Sequence, residues 1–187
     1  MIIGVAGTNA AGKSTVVRLL EGKGFATFSL SDVLREEARR RGLPQDRDTL
    51  RALGNEIRAR DGAGALMREA LRRVSRPDLV IDSIRNPAEA EELRRRSALI
   101  IGVDADSRVR FSRAVEREAR TGRAENAPTF EEFLERERIE NSDDPKGQQL
   151  GKVLAMADVV FRNDGTSAQL EKRVTSFLSL LPVMSVR

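Results

Sequence analysis

Residues Gly7-Thr8-Asn9-Ala10-Ala11-Gly12-Lys13-Ser14 form a complete phosphate-binding loop pattern. They follow the apolar run Ile2-Ile3-Gly4-Val5-Ala6 and open the helix-compatible segment Thr15-Val16-Val17-Arg18-Leu19-Leu20. In a strand, glycine-bounded loop and helix, successive backbone N–H groups wrap a β-phosphate, and the helix N-terminus adds partial positive charge. Lys13 is placed to reach the β- and γ-phosphates and Ser14 to offer its hydroxyl to Mg²⁺. A glycine-rich turn that merely joins a strand to a helix has no use for Lys-Ser at its end. Gly7 to Thr15 therefore mark a nucleoside-triphosphate binder.

Outward from the loop, five short apolar strands are predicted at Met1–Ala6, Phe25–Ser29, Leu79–Ser83, Ala98–Asp104 and Asp158–Arg162, separated by helical segments. Strands alternating with helices imply a parallel sheet with helices on both faces, a three-layer α/β fold. Helices are expected over Ser14–Gly22, Ser31–Arg41, Asp46–Arg60 and Ala63–Val74. The last two sit in some fifty residues between the second and third strands, more than one crossover needs, so residues from about 42 to 76 are read as a small helical subdomain. A polar stretch, Arg120–Gly147, is dense in both charges and carries Gly122, Pro128, Pro145 and Gly147. It reads as an insertion, about 118–148, with a helix over Thr129–Ile139 opened by the capping box Thr129 and Glu132.

The 187 residues suit one domain with a full core, 1–187. No apolar run approaches the roughly twenty residues needed to span a bilayer. The N-terminal apolar run leads straight into the phosphate loop, so it is read as a strand and not as a secretion signal. Without cysteine there are no disulfides and no thiol chemistry, and cytoplasmic residence is the expectation. The net charge of +4 raises nucleic acid as a partner. Against it, arginines interleave with glutamates along helices, as in Glu116-Arg117-Glu118-Ala119-Arg120, the pattern of solvated faces with i to i+3 or i+4 ion pairs. With no Trp or Tyr, stacking platforms for single strands could come only from the few Phe residues. A small anionic substrate fits these arginines as well as a polymer does, and monomer and homodimer stay equally open.

Two further segments carry chemistry. Leu79-Val80-Ile81-Asp82-Ser83-Ile84-Arg85 is an apolar strand ending in a carboxylate. Beside a phosphate loop, a carboxylate at that edge holds the water shell of Mg²⁺; alternatively Asp82 caps the following turn. Arg85 sits where a guanidinium reaches a second phosphate, or else on the surface. After the second strand, Ser29-Leu30-Ser31-Asp32-Val33-Leu34-Arg35 sets Asp32 and Arg35 on one side of a helix start.

The order of phosphate loop, S-x-x-D-x-L-R and strand-Asp-x-x-Arg resembles the nucleoside monophosphate kinases, notably adenylate kinase and its archaeal and bacterial relatives. That resemblance implies ATP and Mg²⁺ as cofactors and an acceptor nucleotide whose phosphate is gripped by Arg35 and Arg85. It puts Asp32 near the Mg²⁺ water shell and the transferring phosphoryl. The ending Ala157-Asp158-Val159-Val160-Phe161-Arg162-Asn163-Asp164-Gly165-Thr166 looks like the A-D-x-V-x-x-N-x-G ending of dephospho-CoA kinases and deoxynucleotide kinases. It implies Asn163, Gly165 and Thr166 beside the adenine of ATP, although a plain strand-to-helix turn with Thr166 as N-cap explains the same residues. In these families the arginine-rich insertion is a lid, which makes Arg113, Arg117, Arg120 and Arg123 candidates to neutralise transition-state charge, Arg117 and Arg113 first.

The likeness runs to about residue 178, with departures. Adenylate kinase carries D-G-x-P-R after its third strand where this chain has Asp82-Ser83-Ile84-Arg85-Asn86-Pro87, and its base-reading residues are not matched. The leading reading is a Mg²⁺-dependent kinase moving the γ-phosphoryl of ATP onto a ribo- or deoxynucleoside monophosphate, with Asn55, Glu56 and Arg58 as acceptor-side candidates. The alternatives are a kinase for another small phosphorylated acceptor such as dephospho-CoA, and a nucleotide-gated protein that presents a surface to RNA or a protein partner.

Overall fold

The computed structural model describes residues 1–121 and 129–181. Five parallel strands make one sheet: β1 (Ile2–Gly7), β2 (Ala26–Ser29), β3 (Leu79–Ile84), β4 (Leu99–Asp104) and β5 (Val159–Arg162), in spatial order β2-β3-β1-β4-β5. β1 takes the centre because both its faces are apolar, as a strand covered by helices on both sides requires. Ile3 and Val5 face α1 (Lys13–Glu21) and α9 (Ser167–Leu178), packing on Val16, Leu20, Leu170 and Val174. The opposite face meets α2 (Leu30–Arg40), α3 (Arg47–Asp61), α4 (Ala65–Arg73), α5 (Pro87–Arg94) and α8 (Leu150–Ala155). There Gly4 is needed for close approach, since a Cβ would lie 2.6 Å from Leu93 and 2.7 Å from Ile84.

α3 and α4, the predicted helical subdomain, bury Leu53, Ile57, Leu66 and Met67 in the same cluster as Ile81 and Ile84 of β3. They thus extend the main core and border the C-terminal edge of β3. α6 (Ser107–Thr121) and α7 (Phe130–Ile139) have their own small cluster, in which Phe111 stands 5.6 Å from Phe130 and 5.7 Å from Phe133, centroid to centroid. Ala10 of the phosphate loop packs against that cluster, so the two helices rest directly on the loop. The capping box at Thr129 forms as its sequence predicts. Of the expected insertion, residues 122–128, and with them Arg123, lie outside the described residues. Arg113, Arg117 and Arg120 belong to α6, which begins well before the insertion's expected start.

Candidate active site

The phosphate loop is held from behind. Gly12, at φ +105, caps α1 in the left-handed region that favours glycine; an added Cβ would lie 2.6 Å from the amide nitrogen of Asn163. That amide donates to Ala11 O at 2.8 Å, and Asn163 N–H donates to Asp104 O at 2.7 Å. Thr8 Oγ1 donates to the Asp104 carboxylate at 2.7 Å. Lys13 Nζ donates to Gly7 O and Thr8 O, both at 2.8 Å. Burial, seconded by the Arg85 guanidinium, lowers the Lys13 amine to about 8, against the opposing pull of Asp82 and Glu140.

Asp82 ends the regular part of β3. Pairing with β1 slips one residue there, Val5 opposite Asp82 but Ala6 opposite Ile84, and the extra residue, Ser83, sits at φ +68. Such a bulge re-aims the side chains beside it and costs strain that functional sites tolerate. Ser83 Oγ is 3.3 Å from Asp82 Oδ2, and Ser29 Oγ donates to Ser83 Oγ at 3.2 Å. Asp82 Oδ1 is buried without a hydrogen-bond partner, an arrangement that costs free energy unless a ligand completes it. A cleft of about 500 Å³ joins Asp82, Lys13 and Ser14 to Arg113, Arg117 and Arg120. Among the described residues no three acidic side chains converge as a metal cage. One carboxylate and one hydroxyl beside a phosphate site nevertheless fit Mg²⁺, which takes most of its ligands from water and substrate phosphates.

A second cavity, about 560 Å³, opens on the other side of the β3 edge, with Leu30, Leu34, Leu50 and Leu66 as its apolar wall. Its polar lining includes six guanidinium groups, of Arg35, Arg47, Arg51, Arg58, Arg85 and Arg117, against the two carboxylates of Asp46 and Glu140. Arg58 is buried and pairs with Glu89, whose Oε1 accepts its Nε at 3.0 Å and Nη2 at 2.8 Å. The other Glu89 oxygen accepts the backbone N–H groups of Arg85 and Asn86, so one buried carboxylate ties α3 to the turn that carries Arg85. Glu140, just past α7, receives Arg47 Nε at 2.5 Å and Nη2 at 2.7 Å, and Arg85 Nη1 at 3.3 Å. Burial opposes its ionisation, but Arg85 and Arg47 hold its carboxyl below the usual range.

The fold thus gathers Asn9, Ala10, Gly12, Lys13 and Ser14 of the loop with Asp82, Arg85, Arg35, Arg113 and Arg117 around two adjoining cavities, while Gly7, Thr8, Ala11 and Thr15 line neither. Asn9 and Arg117 line both, and Arg117 Nη2 donates to Asn9 Oδ1 at 3.1 Å. Asp32 stands apart: it is 67% exposed, bonds Arg35 at 2.7 Å and lines neither cavity. Asn55 also lines neither and accepts from Arg58. Asn163 lies behind the loop, and Thr166 caps α9 through a capping box. Arg113 clamps this turn to α6 by donating to Asn163 O at 2.8 Å and Gly165 O at 2.6 Å. Sequence reasoning missed Arg47, Glu89, Asp104 and Glu140. For Glu89 a signal existed, the Asn86-Pro87-Ala88-Glu89 capping box of α5, but nothing in it indicates the buried partner.

This parallel sheet, with its phosphate loop after β1, has the fold of the P-loop kinases. A shikimate kinase from Bacteroides thetaiotaomicron shares that fold, with a TM-score of 0.60 and 16% identity over 98% of this chain and 99% of that one. A protein of known crystal structure from Thermus thermophilus gives a TM-score of 0.59 at 26% identity, covering 98% of both chains. The AAA domain family model matches residues 6–131. A UPF0200 protein of Pyrococcus horikoshii is 30% identical over 188 residues, 96% of each chain. The chain belongs to the UPF0200 family and, by its residues 6–131, to the AAA domain family. Among the described residues no helix is long and apolar enough to cross a membrane.

Proposed function

We propose that this protein is a Mg²⁺-dependent phosphotransferase that moves the γ-phosphoryl of ATP onto a nucleoside monophosphate. One observation carries the reading. The phosphate-loop cleft and the arginine-lined cavity meet at Asn9 and Arg117, so a group bound at one side needs only a short transfer to reach the other. Arginines so concentrated around an apolar wall suit an acceptor with an anionic end and an apolar body. The i to i+3 pairs on the outer surface, Arg40–Glu37, Arg72–Glu69 and Arg138–Glu135, absorb much of the remaining positive charge and favour a small acceptor over a polymer.

In this reading Lys13 exchanges the carbonyls of Gly7 and Thr8 for the β- and γ-phosphates, while Asp82 and Ser14 hold the metal's side of the triphosphate. When bound, Mg²⁺ neutralises charge on the β- and γ-oxygens. Arg35 and Arg85 orient the acceptor phosphate, whose oxygen attacks the γ-phosphorus as the bond to the bridging oxygen breaks and its electron pair leaves on ADP. A dianionic acceptor needs no base. Arg117, on the boundary, neutralises charge that builds on the moving group. The guanidinium groups, set by the fold around the cavity, supply positioning, the main thing this chemistry asks of a protein.

The test is coupled ADP release with ATP and Mg²⁺ against ribo- and deoxynucleoside monophosphates, with dephospho-CoA as the contrasting acceptor. Stimulation by a monophosphate is the expected result. Stimulation by dephospho-CoA alone moves the acceptor class, and ATP binding with no stimulated turnover removes the kinase reading in favour of a nucleotide-gated binding protein.

A further inference from the structure

Arg58 and Glu89 form an ion pair whose side chains are 2% and 0% exposed, between α3 and the turn that follows β3. We infer that these two are positioning residues for the acceptor phosphate: the pair fixes the backbone of Arg85 against α3 and so sets where the Arg85 guanidinium stands in the arginine-lined cavity. The inference deepens the acceptor-cavity reading above and rests on it.

The need for such a pair follows from the strand. Pairing of β3 with β1 ends at Ala6 opposite Ile84, just past the bulge at Ser83, so the next two N–H groups leave the ladder and require other acceptors. Glu89 takes both: its Oε2 accepts Arg85 N–H at 2.9 Å and Asn86 N–H at 3.1 Å. The contact with Asn86 belongs to the capping box of α5, a role that a neutral glutamine fills as well. The charge of Glu89 answers Arg58 instead, whose Nε and Nη2 donate to Oε1 at 3.0 and 2.8 Å. α3 makes room for that guanidinium. Gly54, a poor helix former in mid-helix, lies one turn before Arg58, and a Cβ there would be 3.2 Å from Arg58 Nη1, which donates to Asn55 Oδ1 at 3.3 Å.

Arg85 is where the walls of the cavity meet. Its carbonyl accepts Gln149 N–H at 2.8 Å, and its Nη1 donates to Gln148 Oε1 at 3.0 Å. Asn86 Nδ2 donates to Pro145 O and Gly147 O, both at 2.8 Å. With Glu89, these bonds tie one turn to α3, α5 and residues 145–149 together. Arg58 and Arg85 line the cavity, whereas Glu89 lines neither cavity and therefore reaches a ligand through the groups it holds. Stability alone does not call for the pair, since apolar side chains of like volume commonly fill such a site as well.

The experiment is isothermal titration of inorganic phosphate into protein saturated with Mg-AMPPNP, a non-hydrolysable ATP analogue that fills the phosphate loop and leaves the acceptor cavity to be read. The proteins are wild type, Arg58→Met with Glu89→Gln, Arg85→Met, and all three changes together. The double change removes both charges at once and keeps the capping box, so no buried charge is stranded. The expected result is phosphate binding weaker by about tenfold or more in the double variant, with Mg-AMPPNP affinity unchanged. Added to Arg85→Met, the double change is expected to cost nothing further, because it acts through Arg85. Phosphate affinity within about twofold of wild type, an additive loss in the triple variant, or no saturable phosphate binding to wild type overturns the inference. An equal loss of Mg-AMPPNP affinity, which a general structural role predicts, overturns it too. Should the double variant fail to fold, Arg58→Lys, which keeps the charge without the two-pronged hold, is expected to weaken phosphate binding about threefold or more, and no weakening overturns the inference equally. If the expected pattern is found while no acceptor is phosphorylated, the positioning role stands and the kinase reading falls. If an acceptor is phosphorylated with the same KM in wild type and the double variant, the kinase reading stands and the positioning role falls.

Discussion

Affinity for ATP is expected to fall steeply with alkaline pH, and Lys13 sets the midpoint. The free protein holds this amine at about 8, chiefly through burial, whereas a bound triphosphate favours the charged form and raises the amine well above that value. Binding therefore takes up a proton whenever Lys13 is neutral beforehand, and affinity is lost as pH rises through 8. Each pH unit beyond the midpoint costs about 1.4 kcal/mol, which gives a dissociation constant about 25-fold larger at pH 9.5 than at pH 7.5. The chain suits the measurement because it contains no His, Cys or Tyr side chain to titrate in that window. Met1 N, bound to Asp78 at the far edge of the sheet, is outside both cavities. Isothermal titration of Mg-ATP across this range, with Lys13→Met as the control, reads the effect; the control binds weakly and with little pH dependence. The same shift acts on folding with the opposite sign. Because the unfolded chain keeps the proton up to about 10.5, the ligand-free protein gains stability from Lys13 as pH rises from 8 to 10.5. Wild-type affinity that varies less than threefold between pH 7.5 and 9.5 would refute the assignment of Lys13 to the phosphates.

Three other substitutions test the site and its supports. Gly12→Ala puts a Cβ 2.6 Å from the Asn163 amide at φ +105 and is expected to destabilise the fold by about 2 kcal/mol or more, a drop of roughly 4–8 °C in Tm by calorimetry. Glu89→Gln leaves the buried Arg58 guanidinium without a counter-charge, and urea unfolding should show a loss of roughly 3–5 kcal/mol; a loss under 1 kcal/mol would mean that water reaches the pair. Asp82→Asn keeps the shape of the strand end but removes the unpartnered carboxylate oxygen, so the Mg²⁺ concentration giving half-maximal turnover should rise on the order of 10–100-fold, while nucleotide binding without metal is retained.

The sheet was legible because its strands are buried on both faces and read as short apolar runs; each begins within a residue of its expected start. The phosphate loop was legible because its chemistry is local, the whole cradle being contiguous from Gly7 to Ser14. The bulge at Ser83 was not, since it arises from how β3 must pair with β1 to aim Asp82, and Ser83 itself carries no signal of it. Nor were the buried charge pairs. Along α2, α4 and α7, Arg and Glu recur at spacings that form local pairs, and such pairs do form at Arg40–Glu37, Arg72–Glu69 and Arg138–Glu135. Against that background the sequence offers no way to tell that Glu140 turns from its own helix to Arg47, 93 residues away. Asp32 shows the converse: its spacing to Arg35 is read correctly, yet Arg35 lines the arginine-rich cavity while Asp32 is 67% exposed and lines neither cavity.

A common thread joins these pairs to function. Lys13 donates to two carbonyls of its own loop, Arg35 to Asp32, Arg113 to the Asn163 and Gly165 carbonyls, and Arg47 and Arg85 to Glu140. A cavity rich in guanidinium groups is costly to leave uncompensated, and these carbonyls and carboxylates supply compensation from within the chain. Ligand binding then becomes an exchange of partners rather than a capture by unpaired charge. For a kinase of the proposed kind, the net gain on binding is the difference between a phosphate and the carbonyl or carboxylate it displaces.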